Sequence, residues 1–338
     1  MRESEVIDKI ARAFGHRSDV SPEVRLGMGD DAAVFRPRAS HEIILSCDWF
    51  LEGPHFLREK HPPDSVGWKC LARALSDIAA MGGAPRCFLL SLALPDAHTG
   101  RWLDEFLAGL ARASRKFGCV LAGGDTTRHR AISVNVTVVG DVPTGRAAVR
   151  SRAQPGELIY VSGRLGEAEL GLEILRRSRG LGHRKNALTK KHLYPEPRLA
   201  LGRWVREKRV ASSMMDLSDG LSSDLLRLCA ASGVGGCLDS GALPGLRNPD
   251  IARKHGLDPL RLALHGGDDY ELLFTVPFGK TKLLPRSFQG IRLTPIGKIT
   301  KESKMVLRDE NGREQPIAAG GWDSFRKSGS WRQISCSF

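Results

Sequence analysis

Aspartate recurs in this chain beside glycine and serine, at six places that follow apolar stretches. The six segments are residues 29–32, 46–48, 76–77, 123–128, 215–220 and 266–271. A single Asp in such a loop is typical of a turn or a helix cap, because its carboxylate accepts hydrogen bonds from backbone N–H groups. Six of them beside small residues, which let a ligand approach closely, are harder to explain as caps. This surplus of carboxylates favours a site for Mg²⁺, a hard cation that prefers oxygen ligands.

Several bound Mg²⁺ ions usually accompany a polyphosphate, whose charge they neutralise during phosphoryl transfer. Glycines let backbone amides approach phosphate oxygens, and arginine adds a guanidinium that binds them. The candidates for these two roles are Gly124, Gly163 and Gly166 for the amides and Arg128, Arg146 and Arg150 for the guanidinium. The residues alone therefore indicate a Mg²⁺- and ATP-dependent enzyme.

Other nucleotide and hydrolase motifs are missing from the sequence. It contains no Gly-x-x-x-x-Gly-Lys-Ser/Thr, no Gly-x-Ser-x-Gly and no His-Glu-x-x-His. Residues 27–32 match Gly-x-Gly-x-x-Ala, but no good strand precedes them and Asp30 and Asp31 would face the pyrophosphate. A dinucleotide-binding Rossmann site is therefore disfavoured.

The composition is that of a folded protein with a sizeable core. The chain has 338 residues, of which 41% are hydrophobic and 26% charged, which excludes disorder, collagen and coiled coil. Its longest apolar run, near residues 87–94, is far shorter than the roughly 20 residues of a membrane helix. Residues 1–14 mix both charge signs and place Ile7, Ile10 and Phe14 at helical spacing. They predict an amphipathic helix of a cytoplasmic protein, not a signal peptide.

Cysteine and charge usage give two further expectations. The seven cysteines are widely spaced without any Cys-x-x-Cys, so reduced thiols are expected and a zinc site is disfavoured. The net charge of +13 comes mostly from residues 151–338, which hold 31 basic and 20 acidic side chains. Residues 176–192 contain seven Lys/Arg and no acid. A solvated basic loop is the favoured interpretation of this segment, and contact with phosphates is the alternative.

Hydrophobic periodicity predicts the elements that position these residues. Strands are expected at 43–47, 86–94, 119–122, 132–139, 158–162, 271–276 and 305–307, and helices at 65–80, 101–117, 167–177 and 219–231. The first half is predicted to be α+β around a sheet, and the chain starts a second domain near Gln154-Pro-Gly156. We therefore expect two domains, residues 1–150 and 151–338.

The motifs, taken together and in order, resemble the thiamine-monophosphate kinase family. The likeness extends from about residue 5 to the Gly-Trp-Asp-Ser-Phe that ends at Phe325. The matching segments are Gly-Asp-Asp-Ala-Ala-Val-Phe35, Asp48-Trp-Phe-Leu-Glu-Gly-Pro-His-Phe56, Val66-Gly-Trp-Lys, Leu75-Ser-Asp-Ile-Ala-Ala-Met-Gly-Gly-Ala-Pro85, Gly-Gly-Asp-Thr-Thr-Arg128, Met-Asp-Leu-Ser-Asp-Gly-Leu-Ser-Ser-Asp-Leu225 and Gly-Gly-Asp-Asp-Tyr-Glu-Leu272. As a set, these segments are highly specific for that family.

This resemblance implies ATP-dependent phosphorylation of thiamine monophosphate to thiamine diphosphate, by direct in-line transfer with several Mg²⁺ ions and no phospho-enzyme. It also implies the two-domain α+β fold of aminoimidazole ribonucleotide synthetase. Residues 1–150 would bind ATP and Mg²⁺ and pair their sheets in a homodimer, and residues 151–338 would close the nucleotide and substrate cleft. Neither nucleic acid nor a membrane is an expected partner.

Site residues carry over by motif position, and none of them is a catalytic nucleophile. The metal ligands would be Asp31, Ser46, Cys47, Asp48, Asp77, Asp125, Asp216 and Asp219. The ATP contacts would be Gly124, Asp125 through a metal, Arg150 and Ser218. The thiamine monophosphate contacts would be His55, Asp268 and Trp322. A Trp ring stacking on the cationic thiazolium or the pyrimidine is physically reasonable.

Three positions depart from the family pattern. Cys47 stands where Thr is usual, so a hydroxyl contact is lost although a backbone carbonyl could serve. Asp268 replaces a more usual Glu and shortens the reach to substrate by one methylene. Leu107 stands where some relatives have a Tyr near the adenine, so stacking there is not expected.

Two other hypotheses remain open at this level. The first is another enzyme of the same superfamily. Selenophosphate synthetase would require a reactive Cys near the N-terminus, and the first 46 residues have none. The hydrogenase-maturation dehydratase would want a Cys as its last residue, where this sequence has Phe338. The other hypothesis is a nucleic-acid-binding protein that uses its positive charge, which the acidic clusters oppose.

Overall fold

The computed structural model describes residues 1–15, 22–178 and 187–325, so the centre of the basic segment and Cys336 lie outside the described residues. The chain divides into two compact units, and the first division falls between Ala147 and Ala148. Among the described residues, 1–147, 175–178 and 193–203 group as unit 1 and the others as unit 2. No helix in the described ranges is long and apolar enough to cross a membrane.

Helices and strands alternate irregularly along the chain. The α-helices are α1 (Glu3–Phe14), α2 (Pro63–Ala80), α3 (Arg101–Phe117), α4 (Glu167–Arg177), α5 (Lys190–Leu193), α6 (Leu199–Lys208), α7 (Leu221–Ser232), α8 (Pro249–Lys254) and α9 (Pro259–His265). The strands are β1 (Val24–Leu26), β2 (Val34–Phe35), β3 (His41–Leu51), β4 (Ala84–Leu94), β5 (Val120–Arg128), β6 (Ser133–Pro143), β7 (Leu158–Ser162), β8 (Ser213–Leu217), β9 (Gly235–Asp239), β10 (Glu271–Val276), β11 (Ser287–Phe288), β12 (Ile291–Thr300), β13 (Met305–Arg308) and β14 (Glu314–Pro316). Short 3-10 turns occupy Asp96–His98, Ser240–Ala242 and Phe278–Leu283.

Unit 1 is built on a four-stranded sheet in the order β3-β6-β4-β5. The pairs β3–β6 and β4–β6 are antiparallel, and β4–β5 is parallel. Along β3, Ile44 and Phe50 are buried while Leu45 and Trp49 are 67% and 57% exposed, which is the alternation of a strand with one covered face. α2 is buried along most of its length and packs on that covered face together with α3.

A later stretch of the chain, residues 193–203, belongs to unit 1. The indole N–H of Trp68 on α2 donates to the carbonyl of Pro195 at 2.8 Å in a buried position. The Tyr194 hydroxyl donates to Oδ2 of Asp64 at 3.0 Å. The first unit is therefore completed by residues that the sequence prediction had assigned to the second domain.

Unit 2 contains an eight-stranded sheet. Its order is β14-β13-β9-β12-β7-β10-β8, with β11 paired to β12, and every pair except β13–β9 is antiparallel. The core beneath it includes Ile159, Leu225, Leu273 and Ile296, all fully buried. The long strand β12 contains Pro295 and shifts its register against β7 just after it.

Three of the six aspartate segments lie within regular elements, and a fourth, residues 215–220, begins in one. Asp48, Asp125 and Asp216 lie within strands β3, β5 and β8, and Asp77 lies within helix α2. The expectation of loops was wrong for residues 46–48, 76–77 and 123–128 and for the start of 215–220, because the strands, and at Asp77 the helix, extend through the polar residues that follow their apolar starts. Asp31, Asp219 and Asp268 themselves lie between regular elements.

Candidate active site

The covered face of β3 brings two predicted metal ligands of unit 1 to helix α2. The hydroxyl of Ser46 donates to Oδ2 of Asp77 in a short hydrogen bond. Asp48 follows on the same face of the strand, and its Oδ2 lies 3.7 Å from Nε of Arg73, one helical turn before Asp77. Positions two apart on a strand and four apart on a helix have similar spacing, about 6–7 Å, which lets the two elements pair in this way. Arg73 was not recognised from the sequence.

Cys47 points to the other face of the sheet. Its Sγ lies 3.3 Å from Oδ1 of Asn135 and 3.4 Å from the hydroxyl of Thr137, and the side chain is exposed. The structure therefore does not bring this thiol to Ser46 and Asp48. A role for the Cys47 backbone carbonyl as a metal ligand remains a prediction.

Gly124 and Asp125 lie near the end of β5. A Cβ on Gly124 would lie 1.9 Å from the carbonyl oxygen of Leu90, so only glycine fits between these two strands. Asp125 pairs in register with Ser91, and that row continues through Asn135 to Trp49. Asp125 is exposed and lies in the same row as Trp49, one residue out of register with the row that contains Asp48.

Asp31 is exposed, and its backbone N–H donates to Oδ1 of Asp30 at 3.0 Å. Within the described residues, no three His, Cys, Asp or Glu side chains form a ready-made metal site. Two oxygen groups do meet, the Ser46 hydroxyl and the Asp77 carboxylate, and both are hard metal ligands. Mg²⁺ is usually held by one or two carboxylates together with substrate phosphates and water, so these residues fit it.

His55 follows β3 and is half-buried. Its Nδ1 accepts the backbone N–H of Leu51 at 3.0 Å, so a neutral ring carries its proton on Nε2. Its ring lies 6.0 Å from that of Phe50. The hydrogen bond from Leu51 fixes the orientation of the imidazole relative to β3.

Three segments of unit 2 adjoin at four of the predicted residues, Ser218, Asp219, Asp268 and Trp322. Asp216 is buried on β8, and Ser218 and Asp219 follow in the turn before α7. The backbone N–H of Asp268 donates to the carbonyl of Ser218 at 2.8 Å, and that of Trp322 donates to the carbonyl of Asp219 at 2.9 Å. The structure therefore brings together four residues that are up to about a hundred positions apart in the sequence.

Asp224 holds the turn in place. Its Oδ2 accepts the backbone N–H groups of Ser218, Asp219 and Gly220 at 3.0–3.1 Å, and its Oδ1 accepts from Arg227 at 2.8 Å. Burial, together with the nearby Asp219 carboxylate, raises the pKa of Asp224 to about 7. No role was predicted for Asp224, although its place one turn into a helix after Ser-Asp-Gly is a sequence signal for a carboxylate that caps the helix start.

The loop that carries Asp268 has a strained backbone. Asp268 and Tyr270 have φ of 64° and 48°, in the left-handed region that side chains other than glycine rarely adopt. The Tyr270 hydroxyl donates to Oδ1 of Asp268 at 2.7 Å, and its backbone N–H donates to the carbonyl of Leu217 at 2.8 Å. Strain of this kind persists where surrounding contacts fix the loop, often at functional sites.

The remaining candidates are less constrained. Arg150 is exposed, and its backbone carbonyl accepts the Ser232 hydroxyl at 2.7 Å. Leu107 is buried in α3, so it packs in the core of unit 1. Arg128 forms an exposed ion pair with Asp96 at 3.1 Å.

Comparisons with known proteins show which family of proteins the chain resembles over its length. Residues 29–142 match the family model of AIR synthase related protein, N-terminal domain. The chain is 38% identical over 323 residues to thiamine-monophosphate kinase of Escherichia coli strain K12, covering 94% of this chain and 97% of that protein. The crystal structure of thiamine-monophosphate kinase from Stenotrophomonas maltophilia K279a aligns with a TM-score of 0.78 and 34% identity over 93% of this chain and 98% of that one. A structure of AaThiL complexed with AMPPCP and TMP aligns with a TM-score of 0.75 and 31% identity over 96% and 99%. The chain belongs to the thiamine-monophosphate kinase family.

Proposed function

We propose that this protein catalyses the ATP-dependent phosphorylation of thiamine monophosphate to thiamine diphosphate. The observation that carries the proposal is near full-length similarity to thiamine-monophosphate kinases, one of which is complexed with AMPPCP and TMP. AMPPCP is an analogue of ATP, and we take TMP to be thiamine monophosphate. The meeting of Ser218, Asp219, Asp268 and Trp322 in unit 2 supports a site there for the reactants.

The reaction needs no nucleophile from the protein. The acceptor is a phosphate oxygen of the substrate, which is already ionised near neutral pH, so positioning and charge neutralisation provide the catalysis. We assign nucleotide contacts to Gly124, Arg150 and Ser218, and substrate contacts to His55, Asp268 and Trp322. The Asp224 bonds to the turn at Ser218 keep its backbone rigid, so the Ser218 hydroxyl can be presented to a phosphate without rearrangement.

Mg²⁺ is the metal that these residues suit. When bound, it would neutralise charge on the transferred phosphoryl group and orient the phosphates. We propose as its ligands Asp31, Ser46, Cys47 through its carbonyl, Asp48, Asp77, Asp125, Asp216 and Asp219. The Ser46–Asp77 hydrogen bond sets the direction of that carboxylate, and Arg73 balances the charge of Asp48.

We further propose a cytoplasmic homodimer. The open face of the unit 1 sheet exposes Leu45 and Trp49 on the edge strand β3, and an apolar, exposed edge strand is the kind of surface that a second copy would cover. The cysteines in the described residues are all free thiols, which suits a reducing compartment.

The direct test is formation of thiamine diphosphate by the purified protein. Product is expected from thiamine monophosphate and ATP with Mg²⁺, and none is expected with EDTA or with free thiamine in place of the monophosphate. ATP binding without product would indicate that the protein acts on the substrate of another member of the superfamily. Steep loss of binding to DNA with rising salt, in a protein without kinase activity, would instead favour the nucleic-acid hypothesis.

A further inference from the structure

A buried ionic cluster lies in unit 2 beside the Asp268 loop. Nζ of Lys191 lies 3.2 Å from Oδ1 of Asp269 and 3.3 Å from Oε1 of Glu271. The side chains of these two acids are 3% and 1% exposed, and that of Lys191 is 19% exposed. Lys191 also donates to the carbonyl of Arg164, and the Ser162 hydroxyl donates to Glu271 at 2.6 Å.

The cluster contains two carboxylates, those of Asp269 and Glu271, and one ammonium group, that of Lys191. Burial is the main reason that the pKa of Asp269 is raised, and Lys191 opposes this shift. Asp269 also accepts the backbone N–H groups of Gly166 and Ala168 at 2.6 and 3.3 Å, where α4 begins. Removing the cation from such a cluster leaves buried charge without its partner, which is strongly destabilising locally.

Asp269 stands between the two residues with strained backbone, Asp268 and Tyr270. The residue after Lys191, His192, is buried with its Nδ1 3.6 Å from Oδ2 of Asp268. The short segment Lys190–Leu193 thus contacts the loop through two consecutive side chains. The first pairs with a buried carboxylate of the loop and the second lies beside the predicted substrate ligand.

We propose that Lys191 is a positioning residue for phosphoryl transfer: by pairing with Asp269 and Glu271 it holds the strained loop so that Asp268 faces the substrate. The proposal rests on the proposed function, since it takes Asp268 as a substrate contact. Lys191 itself touches no reacting atom. Lys191 lies at the end of the basic stretch 176–192, so the inference gives one of those basic residues a structural task inside the enzyme.

The test compares full-length Lys191→Met, Lys191→Arg and Lys280→Met with the wild type. Lys280 is the matched control, because its ammonium donates to a backbone carbonyl, that of Arg209, at an exposed position. Lys191→Met is expected to lower kcat/KM for thiamine monophosphate by about ten- to a hundredfold, since a small displacement of a positioned group has effects of this size. Most of the change should be in KM for thiamine monophosphate, with a smaller effect on KM for ATP. Lys191→Arg, which keeps the cation, should recover most of the loss, and Lys280→Met should behave as wild type.

Amide hydrogen exchange provides a readout that does not depend on activity. Residues 266–272 should exchange faster in Lys191→Met than in the wild type, while β7 and β12 should not change. If Lys191→Met does not fold, Lys191→Met/Glu271→Gln restores the net charge of the cluster and takes its place in both measurements. Unchanged kinetics in an active enzyme would overturn the proposal, as would unchanged exchange of the loop. Absence of kinase activity in the wild type would refute the proposed function, and the exchange result alone would then decide whether Lys191 holds the loop.

Discussion

Substitution of Gly321 tests whether the Gly320–Trp322 segment must lie against the turn at Asp219. In Gly321→Ala the new Cβ would lie 2.0 Å from the Asp219 carbonyl oxygen and 2.6 Å from the Ser223 hydroxyl. Ordinary contact begins at 3.4 Å, so the segment must retreat by about 1.4 Å. This movement breaks the bond from Trp322 N–H to the Asp219 carbonyl (2.9 Å) and that from Gly321 N–H to Ser223 (3.0 Å).

The expected effect is large on catalysis and small on stability. Two lost hydrogen bonds cost roughly 1 kcal/mol each, which lowers Tm by a few degrees. Displacement of Trp322 by more than 1 Å is expected to lower kcat/KM for thiamine monophosphate by about a hundredfold, because the ring no longer fits the substrate. Product formation at varied thiamine monophosphate and saturating ATP measures it, and a melting curve measures stability.

Gly279→Ala is the matched control, since a Cβ there meets nothing within 4 Å. It should leave both kinetics and Tm unchanged. A folded Gly321→Ala enzyme with the kinetics of the wild type would refute the reasoning, because it would mean that Trp322 does not need this position for activity.

Three further predictions concern the acidic residues and one histidine. Asp77→Asn should lower turnover at saturating Mg²⁺ by at least about a hundredfold with Tm unchanged; near-normal turnover would remove Asp77 from the metal ligands. Asp224→Ala leaves three backbone N–H groups without their acceptor and should lower the free energy of unfolding in urea by about 3 kcal/mol, whereas exposed Asp250→Ala should change it by less than about 0.5 kcal/mol. Burial lowers the pKa of His265, so as the pH falls the imidazole is protonated in the unfolded state before it is protonated in the folded state. The free energy of unfolding should therefore decrease as the pH drops below about 6.5. His265→Asn should make urea unfolding at pH 7.5 and 5.5 more alike; an unchanged difference would contradict this.

Local patterns predicted the regular elements well where one period dominated. The strand Leu158–Ser162, the helix Glu167–Arg177 and the strand Glu271–Val276 have the bounds expected from the sequence. The strand Ile291–Thr300 was missed because Pro295 and Gly297 interrupt its pattern, and a proline usually argues against a central strand. The structure accommodates it by a register shift against β7 at that point, which depends on the neighbouring strand and leaves no signal in the sequence.

The candidate site was predictable as a set of residue types but not as an arrangement. Motif order identified Ser46 and Asp77, yet their contact joins positions 31 apart and depends on how α2 packs on β3. The same limit applies to Lys191, whose partners Asp269 and Glu271 lie far along the chain. In a basic stretch such a lysine looks like a solvated surface residue, because charge patterning does not reveal which side chain is buried.

The contribution of residues 193–203 to unit 1 bears on how the protein is made. Synthesis on the ribosome delivers the chain from its N-terminus, and domains generally fold as they emerge. The indole of Trp68 nevertheless has its acceptor at Pro195 and Asp64 has its partner at Tyr194. The N-terminal sheet and helices therefore stay incompletely packed while much of the following chain is translated. Nascent chains that stall before residue 195 are the ones expected to depend on chaperones.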